Sequence, residues 1–356
     1  MEPPTSPSYL PSYHPTELRR STSNTSASDT ASDESIMNTN EEATLCKLDA
    51  VRLGYWDDPF LSQMIHGTLR HERKAPDMYK GYYARVKCVE RLVLNFIQTI
   101  KTSKGVEASV QIVNLGAGYD TLYWRLKSNA ALNNAVKIKV VDLDLLPVIS
   151  KKSHAIRTHK KLCDLLTGEV RDGEIPHAEL HSEGYDLVSA DMRDTDEISR
   201  KLVSACKLDP NIPTLFIAEC VLIYMSTDST KKLLTWIAQT FRTCAFINYE
   251  QVRMNDHFGE IMFEALKAQG CLLADADACE TLEMHENRFV RAGWTRAQAG
   301  DMNTMCQSLP QTDIQRVDRI AMIDEPEVLQ QLFAHYCIVW AYKGADSTGL
   351  GNIQLL

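Results

Sequence analysis

The stretch Val110-Gln111-Ile112-Val113-Asn114-Leu115-Gly116-Ala117-Gly118-Tyr119-Asp120 decides how the rest of the chain is read. Its apolar first half ends at a turn signal, the mark of a buried strand. The two glycines fall where that strand must turn before a helix. A glycine turn lets backbone N–H groups come close to a ligand, because a Cβ would obstruct the approach. A nucleotide-type site is therefore expected at the carboxyl end of this strand. The plainer reading is a tight strand-to-helix turn that holds nothing.

The dinucleotide fingerprint needs a third glycine three residues after the second, and Thr121 stands there. A pyrophosphate cradle is disfavoured. A two-glycine turn is the usual form in methyltransferases that use S-adenosylmethionine, a nucleoside cofactor with no phosphate to cradle. Gly116 and Gly118 are the first candidate cofactor-binding residues.

Outward from this turn, strand and helix alternate, as in a parallel sheet covered on both faces. Apolar runs predict strands at 110–115, 138–143, 185–190, 214–218, 245–249, 294–299 and 336–343. Helical patterns fall at 227–241, with Ser226 as N-cap, and at 259–269, 282–292 and 326–335. Residues 1–43 are rich in Ser, Thr, Pro, Asn and acidic side chains and poor in aliphatics. Such a segment cannot bury enough apolar area to offset chain entropy, so a disordered tail is expected there, dispensable for chemistry. Residues 44–105 read as helices with a break at Lys74-Ala75-Pro76, placed before the first strand as a lid over the ligand edge. Residues 106–356 make the core with its insertions.

Composition narrows the partners. The 356 residues carry 47 acidic and 38 basic side chains, a formal net charge of −9, with no Lys/Arg-rich block. This field repels phosphate backbones, so nucleic acid is not an expected partner. No apolar run reaches the ~18 residues that span a bilayer, and the first thirty residues lack an apolar signal core. A cytoplasmic protein with no membrane association is expected. The ten cysteines show no Cys-x-x-Cys pair and no zinc-type spacing. They read as reduced thiols, and no metal site is expected.

Carboxylates follow the strands. One at the end of the second strand ordinarily accepts both ribose hydroxyls of a bound nucleoside. Asp142 and Asp144 both qualify, and Asp144 is the preferred candidate. Asp191 can accept from an adenine amino group while Met192 packs on the purine face. Asp194 suits an N-cap, with Glu197 three residues on completing a capping box, and this leaves Asp191 for a ligand. Glu219 lies inside the apolar run Leu215–Met225, where an unpaired charge is costly. It needs a cation or several donors, either a cationic ligand or a structural ion pair.

Taken together, Lys47, Gly54-Tyr55-Trp56-Asp57-Asp58-Pro59, Glu72-Arg73-Lys74-Ala75-Pro76 and Gly81-Tyr82-Tyr83-Ala84-Arg85-Val86 resemble the leucine carboxyl methyltransferase family. So do Gln111–Gly118, Glu219-Cys220-Val221-Leu222-Ile223-Tyr224-Met225, Phe246-Ile247-Asn248-Tyr249-Glu250-Gln251-Val252 and His335-Tyr336-Cys337. The resemblance runs in order from about Cys46 to Lys343. It implies a Rossmann-like α/β methyltransferase fold, a mostly parallel sheet with helices on both faces, an antiparallel C-terminal strand and an N-terminal helical lid. It also implies S-adenosylmethionine as cofactor. The C-terminal leucine carboxylate of the protein phosphatase 2A catalytic subunit is the implied substrate, met by a monomeric enzyme. By this resemblance Lys47 and Arg85 meet the cofactor carboxylate, Gly116 lies under its methionyl part and Asp144 holds the ribose. Asp191 and Met192 hold the adenine, and Glu219 the ammonium end.

Arg85 and Tyr224 are the candidates for orienting the substrate carboxylate, by charge and by hydrogen bond. Other readings are a related carboxyl methyltransferase acting on modified tRNA, a small-molecule O-methyltransferase and a non-catalytic phosphatase-binding protein. The tRNA enzyme carries an added repeat domain for which this acidic chain is too short.

Overall fold

A computed structural model describes residues 27–65, 73–105, 108–132 and 135–355. The tail expectation for residues 1–26, and Glu72 of the lid motif, lie outside them. Helices α1 (Ala27–Arg52) and α2 (Pro76–Lys104) precede strand β1 (Ser109–Leu115). There follow α3 (Leu122–Ser128), β2 (Lys137–Asp144), α4 (Leu146–Thr158), α5 (Lys160–Cys163), β3 (Arg171–Asp172), β4 (Leu180–His181) and β5 (Tyr185–Ser189). Next come α6 (Thr195–Ser199), β6 (Thr214–Glu219), α7 (Thr227–Thr240), β7 (Cys244–Gln251), α8 (His257–Ala268) and α9 (Leu282–Arg291). The described chain closes with β8 (Arg296–Asp301), α10 (Met302–Cys306), α11 (Gln311–Asp318), α12 (Pro326–Ala334) and β9 (Tyr336–Lys343).

The strands form one sheet in the order β3-β4-β5-β2-β1-β6-β7-β9-β8. Strands β5, β2, β1, β6 and β7 run parallel. Strand β9 is antiparallel to both β7 and β8. This is the expected Rossmann-like sheet with its antiparallel C-terminal strand, extended at the far edge by the short antiparallel strands β3 and β4. The chain leaves β1 for β2 on one side and later returns to β6 on the other. The carboxyl ends of β1 and β6 therefore flank a topological switch point, where open α/β sheets bind ligands.

Side-chain alternation along the central strands feeds two separate cores. Val110, Ile112, Leu215, Ile217 and Ile247 join one, which includes Leu92, Phe96 and Ile97 of α2 and Trp124 of α3. Val113, Leu115, Phe216, Ala218 and Phe246 join the other, with Leu233 and Ile237 of α7 and Phe289 of α9. The lid expected over 44–105 is thus divided. The second half of α2 is a sheet-covering helix, because its apolar stripe is long enough to pack on β1 and β7.

Two further expectations are corrected. Residues 27–43, read as disordered tail, belong to α1. The end of this helix is packed through the buried Cys46, Leu48 and Ala50, and its earlier part makes ion pairs, Glu41 to Lys151 at 2.6 Å, Glu42 to Lys74 at 2.6 Å and Asp33 to Arg193 at 2.9 Å. The strand expected from Trp294 begins at Arg296. Trp294 instead inserts its ring against Phe246 and Phe289 and donates from Nε1 to the Leu234 carbonyl at 3.1 Å.

Candidate active site

A cavity of about 370 Å³ opens at the switch point. Lys47 reaches it from α1, Arg85 from α2, Gly116 and Gly118 from the turn after β1, and Asp144 from the end of β2. Asp191 and Met192 come from the loop after β5, and Glu219 and Tyr224 from the end of β6 and the turn beyond it. The nine residues singled out in the sequence therefore share one wall system, drawn together by the parallel strands ending at a common edge.

Gly116 and Gly118 adopt φ of +65° and +49°, a region that L side chains rarely enter. A Cβ on Gly116 would overlap Val221, and one on Gly118 would overlap the Asn40 carboxamide of α1. Their N–H groups are not free to meet a ligand, contrary to expectation. Gly116 and Ala117 donate to the Leu143 carbonyl at 2.8 and 3.1 Å, and Gly118 donates to Asp144 Oδ2 at 2.7 Å. The glycines contribute room rather than donors, in keeping with a ligand that lacks phosphate.

The pair at the end of β2 divides its labour. Asp142 is held by the fully buried Lys152 ammonium and the Tyr185 hydroxyl, each at 2.7 Å, and does not line the cavity. Asp144 does line it. Burial pushes its carboxyl above the ordinary range, and the Gly118 and Leu145 N–H groups oppose that rise.

Asp191 is not left open as expected. Arg193 grips both its oxygens at 2.8–3.0 Å and extends to Asp33 of α1. Burial would raise its pKa, but Arg193 outweighs burial and holds it below the usual range. Asp194 does cap α6, accepting from the Asp196 and Glu197 N–H groups at 3.0 Å. The capping box stays half-made, since Glu197 accepts from the N–H of Asp191, not of Asp194. The bond steadies the ligand loop instead of the helix end.

Glu219 is answered by two cations. Arg85 pairs with its carboxylate through Nε, and Lys47 Nζ lies 4.0 Å away. The Arg85 guanidinium also stands 4.7 Å from the Tyr249 ring centre and 6.0 Å from that of Tyr82, within cation–π range. Burial works to protonate Glu219, yet Arg85 and Lys47 together hold its pKa below the ordinary value. Two cations and one anion thus face the cavity at one corner, a layout that suits a zwitterionic amino-acid moiety.

Several lining residues escaped the sequence reading. Asp120 accepts from Leu122 N–H at 2.5 Å and faces Arg125 at 3.5 Å. Burial favours its neutral form, and Arg125 with Lys47 overcomes this to keep it ionised. Its place two residues past Gly118, in the deciding stretch itself, was the available signal. Ile36, Asn40 and Ala43 line the cavity from α1, at helical spacing with the expected Lys47. Cys220 takes φ of +56°, rare for a residue with a Cβ, and donates its N–H to the Tyr249 carbonyl at 2.7 Å. Glu250, a strand-end carboxylate like the others, turns away from the cavity to Arg288 Nη2 at 2.5 Å.

Comparison with known proteins agrees with this picture. The family profile described as leucine carboxyl methyltransferase matches residues 35–238. The Bos taurus protein named leucine carboxyl methyltransferase 1 is 39% identical over 343 residues, covering 94% of this chain and 98% of its own length. Its Caenorhabditis elegans namesake is 39% identical over 315 residues, covering 87% and 91%. The Homo sapiens tRNA wybutosine-synthesizing protein 4 is 34% identical over 312 residues, 87% of this chain but 44% of that protein.

Proposed function

Since this chain belongs to the leucine carboxyl methyltransferase family, we propose that it transfers a methyl group from S-adenosylmethionine to a C-terminal leucine α-carboxylate, that of the protein phosphatase 2A catalytic subunit. The observation that carries the reading is the corner formed by Glu219, Arg85 and Lys47 beside a glycine turn without phosphate donors. Such a set fits the amino-acid end of the cofactor, with Glu219 toward its ammonium and Lys47 and Arg85 toward its carboxylate. In this reading Asp144, which lines the cavity, accepts from the ribose hydroxyls. Met192 packs on the adenine, and Asp191 meets its amino group only where Arg193 yields part of its grip. The bound cofactor supplies an electrophilic methyl on a sulfonium.

The rest falls to the chain. A leucine α-carboxyl titrates near pH ~3.5, so at neutral pH it is already the nucleophile and no general base is required. What the protein must do is align the carboxylate oxygen and exclude water, an effect that can be worth ~7–11 kcal/mol. Tyr224 offers a phenol that burial keeps protonated at neutral pH, so it can donate to the carboxylate without neutralising it. Arg85, already shared with Glu219, supplies partial charge to the same region. A guanidinium wholly committed to the substrate would quench its reactivity.

Methyl transfer from labelled cofactor to intact phosphatase, and to phosphatase lacking its terminal leucine, tests the reading. Label is expected in the intact protein alone. Equal labelling of both, or preferential labelling of transfer RNA, would replace it with another carboxyl methyltransferase activity.

A further inference from the structure

Gln251, the last residue of β7, is 2% exposed and forms part of the cavity wall. It lies opposite Tyr336 across the β7–β9 ladder, and both residues line the cavity. The amide oxygen Oε1 is buried and has no hydrogen-bond partner. Among the described residues it is the one such side-chain acceptor on the cavity wall.

Buried acceptors without partners are rare, because each forfeits its hydration without compensation. The backbone around this one is firm. The Gln251 carbonyl accepts from the buried His285 Nε2 at 3.0 Å, and the residue is paired with Tyr336 of β9 in the ladder. The unmet acceptor thus belongs to a residue with a firmly held backbone, in the lining of the same cavity as Arg85, Tyr82, Tyr224 and Tyr336.

We infer that Gln251 is a positioning residue for the substrate, its Oε1 accepting the peptide N–H of the terminal residue whose carboxylate is methylated. The inference rests on the proposed carboxyl methylation. A terminal leucine has one donor close to its nucleophile, the N–H on the carbon that bears the carboxylate; its side chain has none. With the carboxylate at Tyr224 and Arg85, a second anchor at the N–H fixes rotation about the Cα–carboxyl axis and aims one oxygen at the methyl. The site then selects a peptide-linked terminus over a simple carboxylic acid.

The test uses the whole enzyme and semisynthetic phosphatase catalytic subunits whose terminal leucine is joined through an amide or through an ester, which lacks the N–H. The unaltered enzyme is expected to lose roughly 10- to 100-fold in kcat/KM on the ester-linked protein. Gln251→Met is expected to show a similar loss on the amide-linked protein, little further loss on the ester, and an unchanged cofactor Kd. Equal rates on both proteins for the unaltered enzyme would overturn the inference, and so would an undiminished penalty for the ester in Gln251→Met. Should that variant fail to fold, the ester comparison in the unaltered enzyme decides alone. No labelling of the amide-linked protein would sink the carboxyl-methylation reading, and this inference with it.

Discussion

At Glu219 one carboxylate balances two largely buried cations, and the energetics of the site turn on that imbalance. Glu219→Gln keeps the shape but leaves Arg85 and Lys47 facing each other with no anion between them. Breaking a buried pair in this way costs ~3–5 kcal/mol. A lower thermal midpoint and at least a tenfold higher cofactor Kd by calorimetry are expected. A variant with unchanged midpoint and Kd would show that the trio is not an energetic unit. The glycines allow a graded comparison. Gly116→Ala meets Val221, a stiff β-branched side chain, whereas Gly118→Ala meets only the end of the Asn40 side chain, which can turn aside. Both carry positive φ and lose ~1 kcal/mol or more to strain. Gly116→Ala is therefore expected to lose more stability and more cofactor affinity than Gly118→Ala. Denaturant titrations of the two variants giving the reverse order would remove Val221 as the reason.

The decisive element is α1. Its polar, acidic sequence lacks the apolar stripe by which helices usually dock, so composition alone assigns residues 27–43 to a tail. In the fold, the helix closes the cavity with Ile36, Asn40, Ala43 and Lys47 and is moored by Asp33, Glu41 and Glu42 to three basic residues on separate elements. Exposed pairs of this kind are individually weak, ~0–1 kcal/mol each, and are screened by salt. A chain shortened by its first 40 residues is expected to bind cofactor at least tenfold more weakly, since it loses the cavity wall at Ile36 and Asn40 and one of the three moorings, Asp33. Cofactor titration checks this, and undiminished affinity would mean that α1 closes the cavity without holding its contents.

Across the whole molecule, acid sensitivity is built in behind the sheet. His285 is fully buried, and burial together with the neighbouring Arg288 pushes its pKa down from the ordinary 6.5 to about 4. The unfolded imidazole takes a proton near 6.5 while the folded one resists, so between those values the unfolded state binds more protons. Stability must then fall as pH drops from 6.5 toward 4, by about 3 kcal/mol from this residue. Denaturant midpoints measured across that window are expected to slope downward with acid, and His285→Gln to flatten the slope. A slope that survives the substitution would assign the acid loss to other groups. The same ring anchors the Gln251 carbonyl, so the sheet's acid-sensitive support and its active edge share a residue.

What the sequence determined by itself was the order of the central strands and helices and, on the cavity wall, Gly116, Gly118, Asp144, Asp191, Met192, Glu219 and Tyr224. Apolar periodicity, glycines at a strand end and carboxylates after successive strands are local signals, and parallel strands carry whatever follows them to one edge. Lys47 and Arg85, set on helices with no local mark, were legible only through family resemblance. Tertiary structure alone decided the pairings. Arg85 meets Glu219 across 134 positions of chain, and Asp142 goes to Lys152 and Tyr185 while Asp144 keeps the cavity. It also set α1 over the cavity and left Gln251 Oε1 without a partner, because both depend on which surfaces face each other after folding. The physical reason is range: hydrophobic pattern and turn chemistry act over a few residues, whereas charge pairing and hydrogen-bond satisfaction are settled between elements that meet only in three dimensions.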